Sequence, residues 1–157
     1  MTLELQDFEG RWSLTRSIDD ALTRSVGRLM GTAQLTPMEG GLHYFEDGML
    51  HLPGQRPVPA RRAFLWRAGA QGIDMLFDDG RPFHSFDPGA GLCEALHDCP
   101  PDRYRVTYDF RQWPHWSAQW TVRGPRKSYV MRSSYAPVAV RQPKGAGLAG
   151  SGPSVQK

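Results

Sequence analysis

From Phe8 to Ile18 apolar or small residues recur at every second position, Phe8, Gly10, Trp12, Leu14 and Ile18, with Glu9, Arg11, Ser13, Thr15 and Ser17 between them. Side chains alternate between the faces of a strand, so a period of two marks a strand with one face buried and one wet. The same period returns in Tyr104, Val106, Tyr108 and Phe110, in Trp116, Ala118, Trp120 and Val122, and in Tyr129, Met131 and Tyr135. Further strands are expected at 29–35, 42–50, 61–67, 72–77 and 81–86, the last two joined by the hairpin turn Asp78-Asp79-Gly80. No segment carries the period of a long amphipathic helix. Eight or nine short strands with one apolar face each bury those faces best by closing on themselves. The expected fold is therefore all-β, a single up-and-down antiparallel β-barrel. Gly27 and Gly31 fall where a strand must bend for closure.

Closure pairs the first strand with the last. The first opens with Gly10-Arg11-Trp12 and the last with Gly124-Pro125-Arg126-Lys127, so Trp12 is expected to cover one barrel end beneath a cation from Arg126 or Lys127. The barrel domain is expected to span 1–136. Residues 137–157, rich in Gly, Ala and Pro with little to bury, read as a disordered tail.

The net charge of +3 says little about partners, because sixteen basic and sixteen acidic residues balance within 1–135 and the excess is Arg141, Lys144 and Lys157. A nucleic-acid partner would need the outward arginines Arg103, Arg105, Arg123, Arg126 and Arg132 to form one basic face, and dispersed charges are expected instead. No apolar run reaches the roughly 18 residues of a membrane span. The acidic start, Met1 to Asp7, lacks the basic and apolar runs of a signal peptide, so a cytoplasmic protein without membrane contact is expected. A homodimer stays open. Cys93, His97, Cys99 and Asp102 lie in a stretch that reads as a loop and match no standard zinc spacing, so no metal is expected. No Gly-rich phosphate loop and no Gly-x-Ser-x-Gly elbow is present, and no cofactor is expected.

The Phe8-x-Gly10-x-Trp12 start with an Arg-Lys closing strand resembles the calycin superfamily, which includes lipocalins and fatty-acid-binding proteins. The run from Phe77 through His84, then His97-x-Cys99, Asp102-x-Tyr104, Trp120-x-Val122 and Gly124-Pro-Arg-Lys-x-Tyr129, resembles a small bacterial and fungal lipocalin-like family of unknown function. The resemblance covers about 7–136. It implies the barrel and a ligand-holding interior, and it carries over no catalytic residue.

Charged residues on the inner face are the candidates for function. Arg16 breaks the alternation of the first strand and faces inward, where a guanidinium needs either an acidic partner, Asp79, Asp102 or Glu46, or an anionic ligand. Lys127, inward by register, is expected to be partly desolvated, which would lower its pKa and fit it to act as base or nucleophile. His84 sits among aromatics in Arg81-Pro82-Phe83-His84. The expected ligand-binding set is Arg16, Arg81, His84, Tyr104, Trp120, Lys127 and Tyr129, for a small, partly apolar or aromatic anion. A cofactor-independent enzyme acting on a small organic acid is the alternative, with His84, Asp79 and Lys127 as catalytic candidates. Haem or another tetrapyrrole, with His84 as axial ligand, is a third reading.

Overall fold

A computed structural model describes residues 2–138. Ten strands, β1 (Gly10–Asp20), β2 (Ser25–Met38), β3 (Gly41–His51), β4 (Val58–Gly69), β5 (Gly72–Phe77), β6 (Pro82–Phe86), β7 (Leu92–Cys99), β8 (Asp102–Asp109), β9 (Trp116–Gly124) and β10 (Lys127–Pro137), form one antiparallel sheet. Its order is β6-β5-β4-β3-β2-β1-β10-β9-β8-β7, so the first strand pairs with the last as expected. The sheet curls into a barrel whose two edge strands, β6 and β7, are neighbours in the chain and share no ladder. Side chains bridge that seam instead: the Phe83 and His97 rings meet edge to face at 5.0 Å, and His84 Nε2 lies 2.7 Å from the Tyr108 hydroxyl on β8.

β7 is the strand the sequence pattern hides. Its inward positions are Cys93, Ala95 and His97, while Leu92 and Leu96 point outward with 49% and 65% of their surface exposed. Here the polar and apolar faces are nearly exchanged, and alternation of hydrophobicity reads as a loop. The expected tail lies outside the described residues apart from Pro137, which ends β10, and Val138, whose N–H donates to the Arg11 carbonyl.

Glycine lets the wall curve where two strands approach closely. Gly31 on β2 faces Gly48 on β3, and a Cβ on Gly31 would run into the Asp47 carbonyl and the Gly48 Cα. Gly80 holds φ +92 in the β5–β6 turn, a conformation that costs glycine nothing.

One barrel end is closed by aromatic rings. A 3₁₀ turn, Leu5–Phe8, carries Phe8 into the barrel, where Trp66, Phe110, Trp113 and Trp116 meet it edge to face at 4.9 to 5.5 Å. Burying each such ring contributes about 2–3 kcal/mol, and each edge-on pair about 0.5–1.5 kcal/mol more. Trp12 belongs to this plug. Its indole N–H donates to the Phe8 carbonyl at 2.9 Å, and its ring lies against Trp113 and Trp116. The expected cation above it is not there: antiparallel pairing sets Trp12 opposite Pro137 and Asp20 opposite Tyr129, which carries Lys127 to the other end of the barrel. No helix among the described residues is long and apolar enough to cross a membrane.

Candidate functional site

Above the plug, the β3–β4 wall and the β8–β10 wall stand apart. They leave a cavity in which about 70 Å³ is open to the centres of water-sized molecules. Trp66 and Trp116 form its floor, and Phe64, Met75, Phe83, Trp120, Val122 and Met131 supply apolar wall. Phe83 lies nearly parallel to Trp120, 5.2 Å away.

The polar wall is built around one carboxylate. Tyr44 and Glu46 occupy inward positions of β3, and Glu46 stands directly across the ladder from Arg62 on β4. Arg16 on β1 grips Glu46 with both Nη groups, at 2.9 and 2.7 Å, and donates Nε to Ser133 at 2.7 Å. Arg62 Nε donates to Glu46 at 2.9 Å, with Nη2 only at 3.5 Å. Tyr44 donates its hydroxyl proton to Glu46, which leaves Tyr135 to donate to Tyr44 across 2.7 Å. Burial alone would raise the Glu46 carboxyl, but the hydrogen bonds from Arg16 and the charges of Arg62 and Arg16 outweigh it and hold the group at about 2. Burial would lower Arg16, and Glu46 more than reverses that, keeping it charged. Two guanidiniums share one carboxylate, so the cluster carries a net positive charge. Arg62 holds it at the cavity: its side chain is 41% exposed, and Nη1 has no protein partner among the described residues.

At the open end Lys127 Nζ donates to the Tyr104 hydroxyl at 2.9 Å and lies 3.1 Å from Asp102. These contacts with Tyr104, then Asp102, raise its pKa, the opposite of the lowering expected for a desolvated lysine, because the side chain is 42% exposed. As a base or nucleophile Lys127 is therefore corrected: it stays an ammonium. Tyr104, Tyr129 and Trp120 line the cavity.

Four other expected residues lie elsewhere. Arg16 sits behind Glu46, its charge taken by that partner, and is not a cavity-lining group. Arg81 and Asp79 are exposed in the β5–β6 turn and paired with each other at 2.7 Å, because the tight turn throws both side chains outward. His84 is buried behind Trp120, whose ring meets it edge-on at 5.1 Å. Burial first, then the charge of His97, pushes His84 down to about 3, so it is neutral. Its Nε2 is committed to Tyr108 and its Nδ1 has no partner among the described residues. His84, Asp79 and Lys127 thus face no common space, and the catalytic arrangement they were expected to form is absent. Of the outward arginines, Arg103 lies 3.6 Å from Asp98 and Arg105 lies 3.8 Å from Glu94.

Tyr44, Glu46 and Arg62 are cavity-lining residues that sequence reasoning left out of the site. A signal for them existed. Glu46 continues the inward series Leu42, Tyr44, and Arg62 begins the series Phe64, Trp66, so charges of opposite sign enter two adjacent inner faces.

The pattern of a family of unknown function (DUF6314) matches residues 8–137, the barrel from the plug to its last strand, and the chain belongs to that family. No curated protein matches the sequence. A solved structure similar to it is that of the S-type phycobiliprotein lyase CPES from Guillardia theta, with a TM-score of 0.58 and 8% identity over 88% of this chain and 95% of that one. At that identity the likeness is one of fold.

Proposed function

We propose that this protein is a calycin-type binding barrel that encloses one small aromatic anion of one or two rings, its carboxylate on Arg62 and its ring among Phe64, Phe83 and Trp120. The observation that carries the reading is the shared carboxylate. Glu46 already accepts both Nη groups of Arg16, so the second guanidinium brings an uncompensated positive charge to a half-buried place. An anion entering the cavity offsets that charge and takes the free Nη donors in a charge-assisted hydrogen bond. The flat rings of Phe64, Phe83 and Trp120 favour a planar body.

Trp66, Trp116 and Trp120 line the cavity, so their fluorescence reports occupancy. In a titration 2-naphthoate quenches it, and the neutral isostere 2-naphthamide binds about tenfold or more weakly, the difference expected of one charged hydrogen bond. Arg62→Met erases the preference. Equal binding of the two probes, or binding of neither, refutes the reading. A tetrapyrrole is a second reading favoured by the fold likeness; it needs a larger space, and an axial bond from His84 needs Nε2 released from Tyr108. A Soret band on adding haem, lost in His84→Ala, would select it instead.

A further inference from the structure

We propose that Tyr104, set by Lys127, is a second recognition point in this cavity, so that the ligand is an aromatic acid bearing a keto or acyl oxygen in addition to its carboxylate. The inference rests on the anion-binding reading above and specifies its ligand.

An ammonium has three donors and no acceptor, so where Lys127 meets Tyr104 at 2.9 Å the phenolic oxygen accepts. The Tyr104 proton is then directed away from Lys127, and no side chain among the described residues accepts it. Tyr104 lines the cavity. Asp102 fixes the geometry from behind, 3.1 Å from Nζ with its side chain only 17% exposed, so the Lys127 ammonium is held rather than swinging in solvent. A hydroxyl that accepts from a cation is polarised into a stronger donor. Across the cavity Arg62 also offers donors only. The strong acceptor between them, Glu46, is already occupied by Arg16, Arg62 and Tyr44. A ligand that fits both poles is therefore rich in acceptors: a carboxylate for Arg62 and a neutral oxygen for Tyr104. An ammonium at the second position, with donors only, would bring a proton to a group that already donates one.

Shape-matched probes isolate that second contact. The 2-, 3- and 4-acetylbenzoates are compared with the 2-, 3- and 4-ethylbenzoates, which lack only the carbonyl oxygen, by calorimetric titration of the full chain. At least one acetyl isomer is expected to bind about three- to tenfold tighter than its ethyl counterpart, the range of one hydrogen bond. Tyr104→Phe removes that advantage, bringing the acetyl-to-ethyl affinity ratio to about one. Lys127→Met reduces the same ratio, which a purely structural role would not do, and Lys127→Arg restores it in part. Failure of all six benzoates to bind, or binding indifferent to Arg62→Met, overturns the anion reading and this inference with it. Binding that needs Arg62 but shows no acetyl advantage dependent on Tyr104 overturns this inference alone.

Discussion

Glu46→Gln should destabilise the barrel more than Arg16→Met, although the two residues form one ion pair. Glu46 is the only anion in a cluster with two guanidiniums, and it also accepts from Tyr44. Removing its charge leaves Arg16, whose side chain is 5% exposed, facing Arg62 with no counter-ion. An orphaned buried charge of that kind costs about 3–5 kcal/mol. Removing Arg16 leaves Glu46 paired one to one with Arg62 and still bonded to Tyr44. Only Ser133 loses its partner, and a thioether of similar length fills most of the space, so the cost is about 1–3 kcal/mol. The double variant should cost less than the sum of the singles, because in it Glu46→Gln no longer strands Arg16. Urea unfolding at neutral pH, read as a shift in midpoint at constant slope, measures all three. Equal costs for the two single changes, or an additive double variant, would refute the shared-carboxylate arrangement. The contribution also titrates: Glu46 is held at about 2 against an ordinary 4.5, so it is complete above 4.5 and is lost as the pH falls toward 2. Glu46→Gln removes that dependence.

Trp12→Ala should cost about 3–5 kcal/mol and lower the melting temperature by about 10 °C or more, since it opens a hole beside Trp113 and Trp116 and frees the Phe8 carbonyl. A Lys127→Met protein should melt close to wild type, because that side chain stands at the opposite, open end; a large loss there with none at Trp12 would reverse the assignment of the two ends. His84, held at about 3 against an ordinary 6.5, stays neutral in the fold while the unfolded chain takes up its proton. Its stability contribution is complete above 6.5 and falls as the pH drops toward 3, by about 2 kcal/mol between pH 7 and pH 5. His84→Gln should flatten that part of the profile in chemical denaturation, and parallel profiles would show that the ring protonates freely.

The strands with clean alternation were legible because burial and register agree in them. β1, β8, β9 and β10 each put large apolar groups inside and small polar or charged groups outside, and their edges fall within a few residues of the expected ones. β7 fails that test for a physical reason. It is an edge strand that shares no ladder with β6, its inward side chains include the small Cys93 and Ala95, and its inward His97 meets the Phe77 and Phe83 rings. The misplacement of the cation expected over Trp12 has a different origin. Pairing of the first and last strands was read correctly, but a Trp at the start of one strand and a lysine at the start of its antiparallel partner lie at opposite ends of the pair, a strand length apart.

That geometric fact also explains the distribution of the site. Alternation tells which face a residue takes but not its height in the barrel, and height decides function here. Arg16 and Lys127 are both inward by register, yet Arg16 lies deep enough to require a full partner, while Lys127 lies at the mouth and remains hydrated. Arg62 differs from both. Its place opposite Glu46 is fixed by the β3–β4 ladder, a pairing between two segments whose register no single strand contains. Once Arg16 has taken Glu46, Arg62 becomes the group whose charge is left over, at the one height where the aromatic floor ends and solvent can still reach. The surplus charge in this barrel arises from competition between two arginines for one carboxylate, and on the anion-binding reading proposed above Arg16→Met should bind Arg62 to Glu46 alone and weaken 2-naphthoate without touching a cavity-lining residue. Undiminished affinity in that variant would mean that the anion is held by something other than the surplus charge.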